Sequence, residues 1–357
     1  MPQSSLAACH PEGVTTASID EATVPWVFSS CEEEYTRLRQ SRVLVDLTSV
    51  GRIRVAGTGV LAFLQRMVAR DIEYLFPERS LTTLLLDDDA KPIDIVIVHK
   101  VQGGYLLETS FGRGEATLAH LQGHADDGVE VTDVSAEATM IGLEGPFAWE
   151  LLRQVFEPQL TGLPFQGVAA STWQGEDILV TRTGYTGEYG YKLHLPPELA
   201  PKAWEVLGAE APPLGFEALE ISMLELRQPM LHRELGDDGN VIACGFNPLA
   251  ELDKDDYVGK DALLAQKEEG VGLRTIGFAA EGDEVPPAGT TVVAGGELEI
   301  GRVLHAVRSP GLGHVIGLLR IDEEWSAHGL ELDAGGTTVT TVPAPFLIPL
   351  SWKIPIL

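Results

Sequence analysis

The sequence predicts an α+β chain of more than one domain, and three observations carry that prediction. Between about residues 43 and 125 the apolar periodicities run strand, helix, strand, strand, helix, an order that suggests a ferredoxin-like layer rather than a parallel sheet. From about residue 272 the composition changes to short β-rich runs separated by glycine, among them "RTIGFAAEG", "HVIGLLRI" and "TTVTTV", which read as a separate C-terminal β domain. A length of 357 residues is also more than one hydrophobic core requires.

Taken in order, the polar stretch up to about Ala22 reads as a mobile leader. "CEEEYTRLRQ" reads as a short helix, and "SRVLVDLTSVGRIRVAG" as two strands meeting at Gly51. In "TGVLAFLQRMVARDI", Val60, Phe63, Leu64, Met67 and Val68 recur at helical spacing. "LTTLLLDDDAKPIDIVIVHKVQGGYLLETS" predicts a hairpin around an Asp-rich turn and a third strand after Gly103 and Gly104, with a helix over 112–125. "TMIGLEGPFAWELLRQVF" predicts a strand, a Gly-Pro turn and a helix. "DILVTRTGYTGEYGYKLHL" predicts two strands joined by a Gly-rich turn, and "PELAPKAWEVLGAE" a helix opened by proline. In "GFEALEISMLELRQPM", Phe216, Leu219, Met223 and Leu226 lie three or four apart, so that helix should be largely buried. The resulting division is 23–50 with 136–250 as a discontinuous first domain, 51–135 as the ferredoxin-like domain, 251–271 as a linker, and 272–357 as the C-terminal domain.

The charge narrows the partner classes. Fifty-three acidic against 25 basic side chains leave a net charge of −28, a surface that repels phosphate backbones and anionic lipid. Nucleic acid and membrane are therefore not expected partners. Cys9, Cys31 and Cys244 are odd in number and widely spaced, which suits free thiols in a reducing compartment. With neither a signal-peptide pattern nor a long apolar run, a cytoplasmic location is expected.

Several motifs weigh little. Gly57-x-Gly59-x-x-Ala62 matches a dinucleotide fingerprint, yet no acidic residue ends a strand about twenty residues further on. His120 and His124 are four apart on a helix, but no third ligand lies nearby, so they read as solvated histidines and no metal is expected. Asp94 carries more information. It interrupts the apolar "PIDIVIVHK", and alternation puts it on the same face as Val96 and Val98. A carboxylate there must be a strand-end turn residue, hydrogen-bonded, or turned to a ligand cavity. In "TRTGYTGEYGYKLHL", Gly184, Gly187 and Gly190 permit close backbone approach, while alternation sets Tyr191, Leu193 and Leu195 against Lys192 and His194. The stretch is either a ligand-presenting turn or a hairpin with one solvated face.

Five stretches resemble, in order, the aminomethyltransferase family, which comprises the glycine-cleavage T-protein and its folate-dependent relatives. They are "VLVDLTSVGRIRVAGTGVLAFLQRMVARDI", "GLEGPFAWELL", "TRTGYTGEYGYKLHL", "KDDYVGKDALLAQK" and "GRVLHAVRSPGLG", and they span most of residues 40–345. The resemblance implies a three-part ring with an inserted ferredoxin-like domain, a C-terminal β-barrel and a central folate pocket. It implies tetrahydrofolate as one-carbon acceptor or donor and a small amine or ether as substrate. Asp94 is then the acid/base group, and Ser110, Tyr185, Glu188, Lys192 and Met223 contact the cofactor. The chain also departs from the family. Lys192 stands where a glutamate usually accepts from the pterin, Leu219 and Met223 stand where two arginines are usual, and Ala243 replaces a common glutamate. Lysine has only donors, so Lys192 is expected either to serve a changed, anionic ligand or to be a solvated strand residue. Nothing in the sequence marks a docking face for a lipoyl carrier protein, and carrier docking is not expected.

Overall fold

The stretch expected to be a leader is ordered structure. In the computed structural model, which describes residues 4–356, strands β1 (Thr15–Ile19) and β2 (Ala22–Val27) form an antiparallel hairpin. Leu6 is fully buried among Leu44, Trp204 and Leu207, and Ser4 donates to Asp46 at 2.6 Å. Polar composition hid these anchors, because one leucine and an edge hairpin suffice to fix a segment that otherwise faces water. Helix α1 (Cys31–Gln40) follows, with Ser30 accepting from the Glu33 amide as its N-cap. Strand β3 (Val43–Asp46) is then buried along its whole length.

The ferredoxin-like layer contains β4 (Val50–Gly57), α2 (Val60–Met67), β5 (Ser80–Leu86), β6 (Pro92–Val101), β7 (Gly104–Phe111), α3 (Gly114–Gly123) and β8 (Val129–Asp133). The strands form one antiparallel sheet in the order β5-β6-β7-β4-β8, the last of which the sequence pattern does not reveal. Both helices cover one face, where Phe63, Leu64, Met67 and Leu121 pack on Val55, Val96, Val98 and Leu107. Ile95 and Ile97 therefore point from the opposite face of β6.

The chain then returns to β3. Strands β9 (Thr139–Glu144), β10 (Val168–Trp173), β11 (Glu176–Thr181), β12 (Gly190–Leu195) and β13 (Pro213–Leu214) build a sheet in the order β10-β11-β12-β9-β3-β13, with α4 (Ala148–Val155) and α5 (Ala200–Gly208) packed on it. Every residue of β12 is buried, so neither of its faces is solvated. Helix α6 (Phe216–Glu225) is buried throughout except at Glu217, as its spacing predicts, and short α7 (Leu231–Glu234) follows.

The segment read as a linker holds helix α8 (Lys260–Glu269) and the buried Lys254, whose Nζ donates to the carbonyls of Gln65 in the last turn of α2 and of Val68 and Arg70 just past it. Burial there lowers the Lys254 ammonium to about 8. Strands β14 (Leu273–Ala280), β15 (Thr291–Ala294), β16 (Leu298–Ser309), β17 (His314–Asp322), β18 (Glu331–Ala334) and β19 (Thr337–Val342) close a barrel in the order β14-β17-β16-β15-β18-β19. The α+β architecture with a C-terminal β-barrel is thus the one the sequence predicts.

Glu225 ties the barrel to the rest. It is fully buried and accepts from Tyr35 at 2.6 Å, Arg39 at 2.6 Å and Ser309 of β16 at 2.5 Å. Beyond the barrel, the terminal segment runs back to the six-stranded sheet, where Ser351 donates to Glu188 at 2.6 Å and the Tyr189 hydroxyl donates to the Ile354 carbonyl at 2.6 Å. Residues Lys267 to Gly270, at the end of α8, are exposed. Limited proteolysis is expected to nick there first, giving a β-rich C-terminal fragment. Native gel filtration should keep the two pieces together through Glu225 and the tail. Cutting confined to the first 25 residues would count against separable units.

Candidate active site

A cavity of about 300 Å³ lies where the five-stranded sheet, the Gly-rich turn before β12, and the segment from α6 to α7 meet. Its walls are mainly apolar, with Ile95, Ile97, Phe111, Tyr185, Met223 and Met230 among them. The turn is shaped by two glycines and one carboxylate. A Cβ on Gly184 would stand 2.7 Å from the Cα of Gly190, so the two strands' ends touch only because neither residue has a side chain. Beneath them, the buried Glu144 accepts from the amides of Tyr185 at 2.9 Å and Thr186 at 3.3 Å. That frame sets Thr183, Gly184 and Tyr185 in the cavity wall.

Of the residues singled out in the sequence, Ser110, Tyr185 and Met223 line the cavity, and Asp94, Glu188 and Lys192 do not. Asp94 is fully buried on the helix side of β6, where Thr117 of α3 donates to it at 2.7 Å. The Ser110 amide donates to both carboxylate oxygens at 3.2 Å and the Ile95 amide to one of them at 2.7 Å, so Asp94 reaches the cavity wall through these two residues. Burial pushes its carboxyl up to about 6, with the Ser110 and Thr117 hydrogen bonds opposing part of the rise. Ile95, its neighbour, is the residue whose side chain meets the cavity.

Glu188 is an anchor for the C-terminal tail: it pairs with Arg39 at 3.2 Å and accepts from the Ser351 amide at 2.9 Å. Leu219 and Ala243 are buried, Leu219 in the core between α1 and the barrel.

Lys192 is not a solvated strand residue, and its charge is already met within the protein. It is fully buried between the two sheets, and its Nζ donates to Glu108 of β7 at 2.5 Å and to the Tyr185 hydroxyl at 3.1 Å. His194 Nε2 lies 3.1 Å from the other Glu108 oxygen; His99 Nε2 lies 2.9 Å from it but off the hydrogen-bonding direction. Burial opposes charge on both partners, but their attraction outweighs it, holding Lys192 above its ordinary range and Glu108 well below its own. Burial keeps His194 below the usual imidazole value. Lys192 therefore props Tyr185 from behind, its ammonium 4.2 Å from the ring centre.

Two polar groups of the wall escaped the sequence reading. Arg70 has its Nε 3.1 Å from Glu251 and one Nη 3.1 Å from the Thr82 carbonyl, while the second Nη has no partner among the described residues. His232, at the start of α7, has its Nε2 2.7 Å from the buried Glu220 carboxylate. Neither lies in a periodic pattern, and their partners are supplied by other elements, so local spacing carries no signal for them. Glu108 did have one, the same as Asp94: a carboxylate interrupting an apolar strand.

The family model for the GCVT N-terminal domain matches residues 9–254. The chain belongs to the GCVT family. It is similar to the aminomethyltransferase of Geobacillus kaustophilus, 34% identical over 346 residues that cover 94% of this chain and 95% of the relative. A second relative, the aminomethyltransferase of Halalkalibacterium halodurans, is 30% identical over 316 residues, covering 87% of this chain and 86% of the other. Among solved structures, the glycine cleavage system aminomethyltransferase T of Bartonella henselae superimposes with a TM-score of 0.83 over 94% of each chain. At 21% identity that likeness concerns the fold alone. The GCVT relatives named here are transferases, and the resemblance read from the five sequence stretches is to this same family. No helix among the described residues is long and apolar enough to cross a membrane.

Proposed function

We propose that this GCVT-family chain is a tetrahydrofolate-dependent one-carbon transferase acting on a small amine or ether. The observation that carries the reading is the cavity itself. A pterin is a flat ring with a polar edge, and the cavity offers Ile95, Ile97, Phe111 and Met223 as apolar surface. Gln228, whose side-chain amide has no partner among the described residues, offers both a donor and an acceptor to an edge. Arg70 would receive a carboxylate on its free Nη. When bound, tetrahydrofolate would supply the nitrogen that carries the one-carbon unit; the chain's own residues bind it, exclude water and hold the turn that backs Tyr185.

Calorimetric titration with tetrahydrofolate tests the reading. Saturable binding is expected in the ~1 μM to 1 mM range typical of enzyme substrates, weakened about tenfold by Arg70→Ala. One observation favours a second reading, a GCVT-fold enzyme that takes another small molecule. Asp20 is the one carboxylate among the residues lining the cavity, and it is paired with Arg113 at 2.8 Å. The aminopyrimidine edge thus lacks a free buried acceptor of the carboxylate kind. Absence of binding heat across that range would decide for this second reading.

A further inference from the structure

The wall of the cavity holds few groups able to take up and return a proton near neutral pH. Asp94 is turned to α3, Lys192 and His194 are sealed around Glu108, and Asp20 is held by Arg113. Arg70 offers only donors. Burial raises the Tyr185 phenol above its ordinary value. His232 is what is left.

Its setting is built. Glu220 of α6 is 3% exposed and takes two bonds from Arg233, at 2.9 and 2.8 Å, besides the 2.7 Å contact with His232 Nε2. Burial would raise the Glu220 carboxyl, but the hydrogen bonds from His232 and Arg233 overcome it and bring it down to about 2. An ionised carboxylate only accepts, so Nε2 carries an N–H, and in the neutral ring the lone pair is then on Nδ1. Nδ1 has no protein partner among the described residues, and the ring lines the cavity. The remaining group on this carboxylate is His305 of β16, 3.6 Å from it, which burial lowers to about 4 and so keeps neutral.

We infer that His232 is the proton-exchanging group of the cavity, presenting Nδ1 to the bound molecule, and that Glu220 is its positioning residue. The proton balance is simple. An N–H or O–H of the bound molecule passes its proton to Nδ1, the bonding pair stays on the donor atom, and the imidazolium so formed faces the Glu220 carboxylate. The same proton returns to the atom that departs, and no oxidant or reductant is needed. The inference rests on the one-carbon-transfer reading for the chemistry it serves, but not for the geometry.

Two measurements on the wild-type protein test the geometry without a substrate. Long-range ¹H–¹⁵N correlation of the imidazoles should show His232 as the Nε2–H tautomer, and Glu220→Gln should make that tautomer lose its dominance. A wild-type Nδ1–H tautomer would overturn the inference. Acylation by diethyl pyrocarbonate, read by peptide mass, should modify His232 in the folded protein while His99 and His194 stay unmodified. Saturating tetrahydrofolate should suppress the reaction. If calorimetry shows tetrahydrofolate bound and His232 still acylates freely, His232 is outside the site and the inference falls. If tetrahydrofolate does not bind, the folate reading falls alone, and the tautomer and acylation results still decide for or against His232. Where one-carbon transfer from an N-methyl amine to tetrahydrofolate is observed, His232→Gln should lower kcat by ~10²-fold or more with tetrahydrofolate affinity unchanged. Wild-type kcat in that variant would also overturn it.

Discussion

Lys192→Met is expected to lower the free energy of unfolding by about 3–5 kcal/mol, read from equilibrium denaturant curves. The substitution strips the fully buried Glu108 of its closest cation and leaves it with the imidazoles and the cross-strand Arg52, and the cost is that of a buried charge without its hydrogen-bonded partner. Lys192→Glu should be worse, because two carboxylates would then face each other in the same space, and little folded protein is expected. Removing both charges in Lys192→Met/Glu108→Leu should recover most of the loss, since replacing a buried pair by apolar side chains is often neutral. The pH dependence has a definite sign. Glu108 is depressed below its ordinary 4.5, so its contribution is present above that value and lost as pH falls through the folded value. Lys192 is raised above its ordinary 10.5, so its contribution is present below that value and lost as pH rises through the folded one. The wild-type pair therefore contributes a plateau from about pH 4.5 to 10.5. Unchanged stability in Lys192→Met together with altered ligand binding would return the lysine to the cavity as a ligand's partner.

Asp94→Asn is expected to erase a pH-dependent penalty. The folded carboxyl sits near 6 against an ordinary 3.8, so between these values the native state binds more protons than the unfolded chain. Stability then falls as pH rises through that window and is flat above it, and the gap is worth about 3 kcal/mol. The stability of Asp94→Asn relative to wild type should accordingly improve by most of that amount between pH 4 and pH 7. Thermal or denaturant unfolding at the two pH values reads it directly. The variant also tests the role that the family resemblance implies. Since Asp94 touches the cavity wall through the Ser110 and Ile95 amides, a loss of ~10²- to 10⁴-fold in turnover with intact tetrahydrofolate binding would mean that it acts through those residues. Full turnover would make it a structural carboxylate of the β6–α3 contact.

Local periodicity made much of this legible. The helix over Cys31–Gln40 and the apolar faces of α2 and α6 follow from side-chain spacing alone, and alternation placed Asp94 with Val96 and Val98. What alternation does not contain is the identity of whatever lies across from a face. It separated Lys192 and His194 from Tyr191 and Leu193, but the partner on that side is a carboxylate 84 residues earlier, on another sheet. The same limit hid His232, whose orienting Glu220 belongs to the preceding helix, and the first hairpin, whose strands pair only with each other. Tertiary partners of buried charges, rather than secondary structure, are where sequence reading stopped.

The return of the C-terminal segment to Glu188 and Tyr189 makes the architecture a hoop, because the barrel is fastened to helices α6 and α1 at Glu225 and, beyond its last strand, to the turn before β12. A hoop fastened twice resists hinge opening, so wide parting of its bodies is a costly way to admit a molecule to the central cavity. The cheaper way is local. Phe165, at the cavity's edge, is 68% exposed, and Gln228 to His232 form a short stretch between α6 and α7. Entry to the cavity is then expected to depend on side-chain and loop movements at its mouth, on the nanosecond to microsecond scale of such motions rather than the slower one of domain rotation.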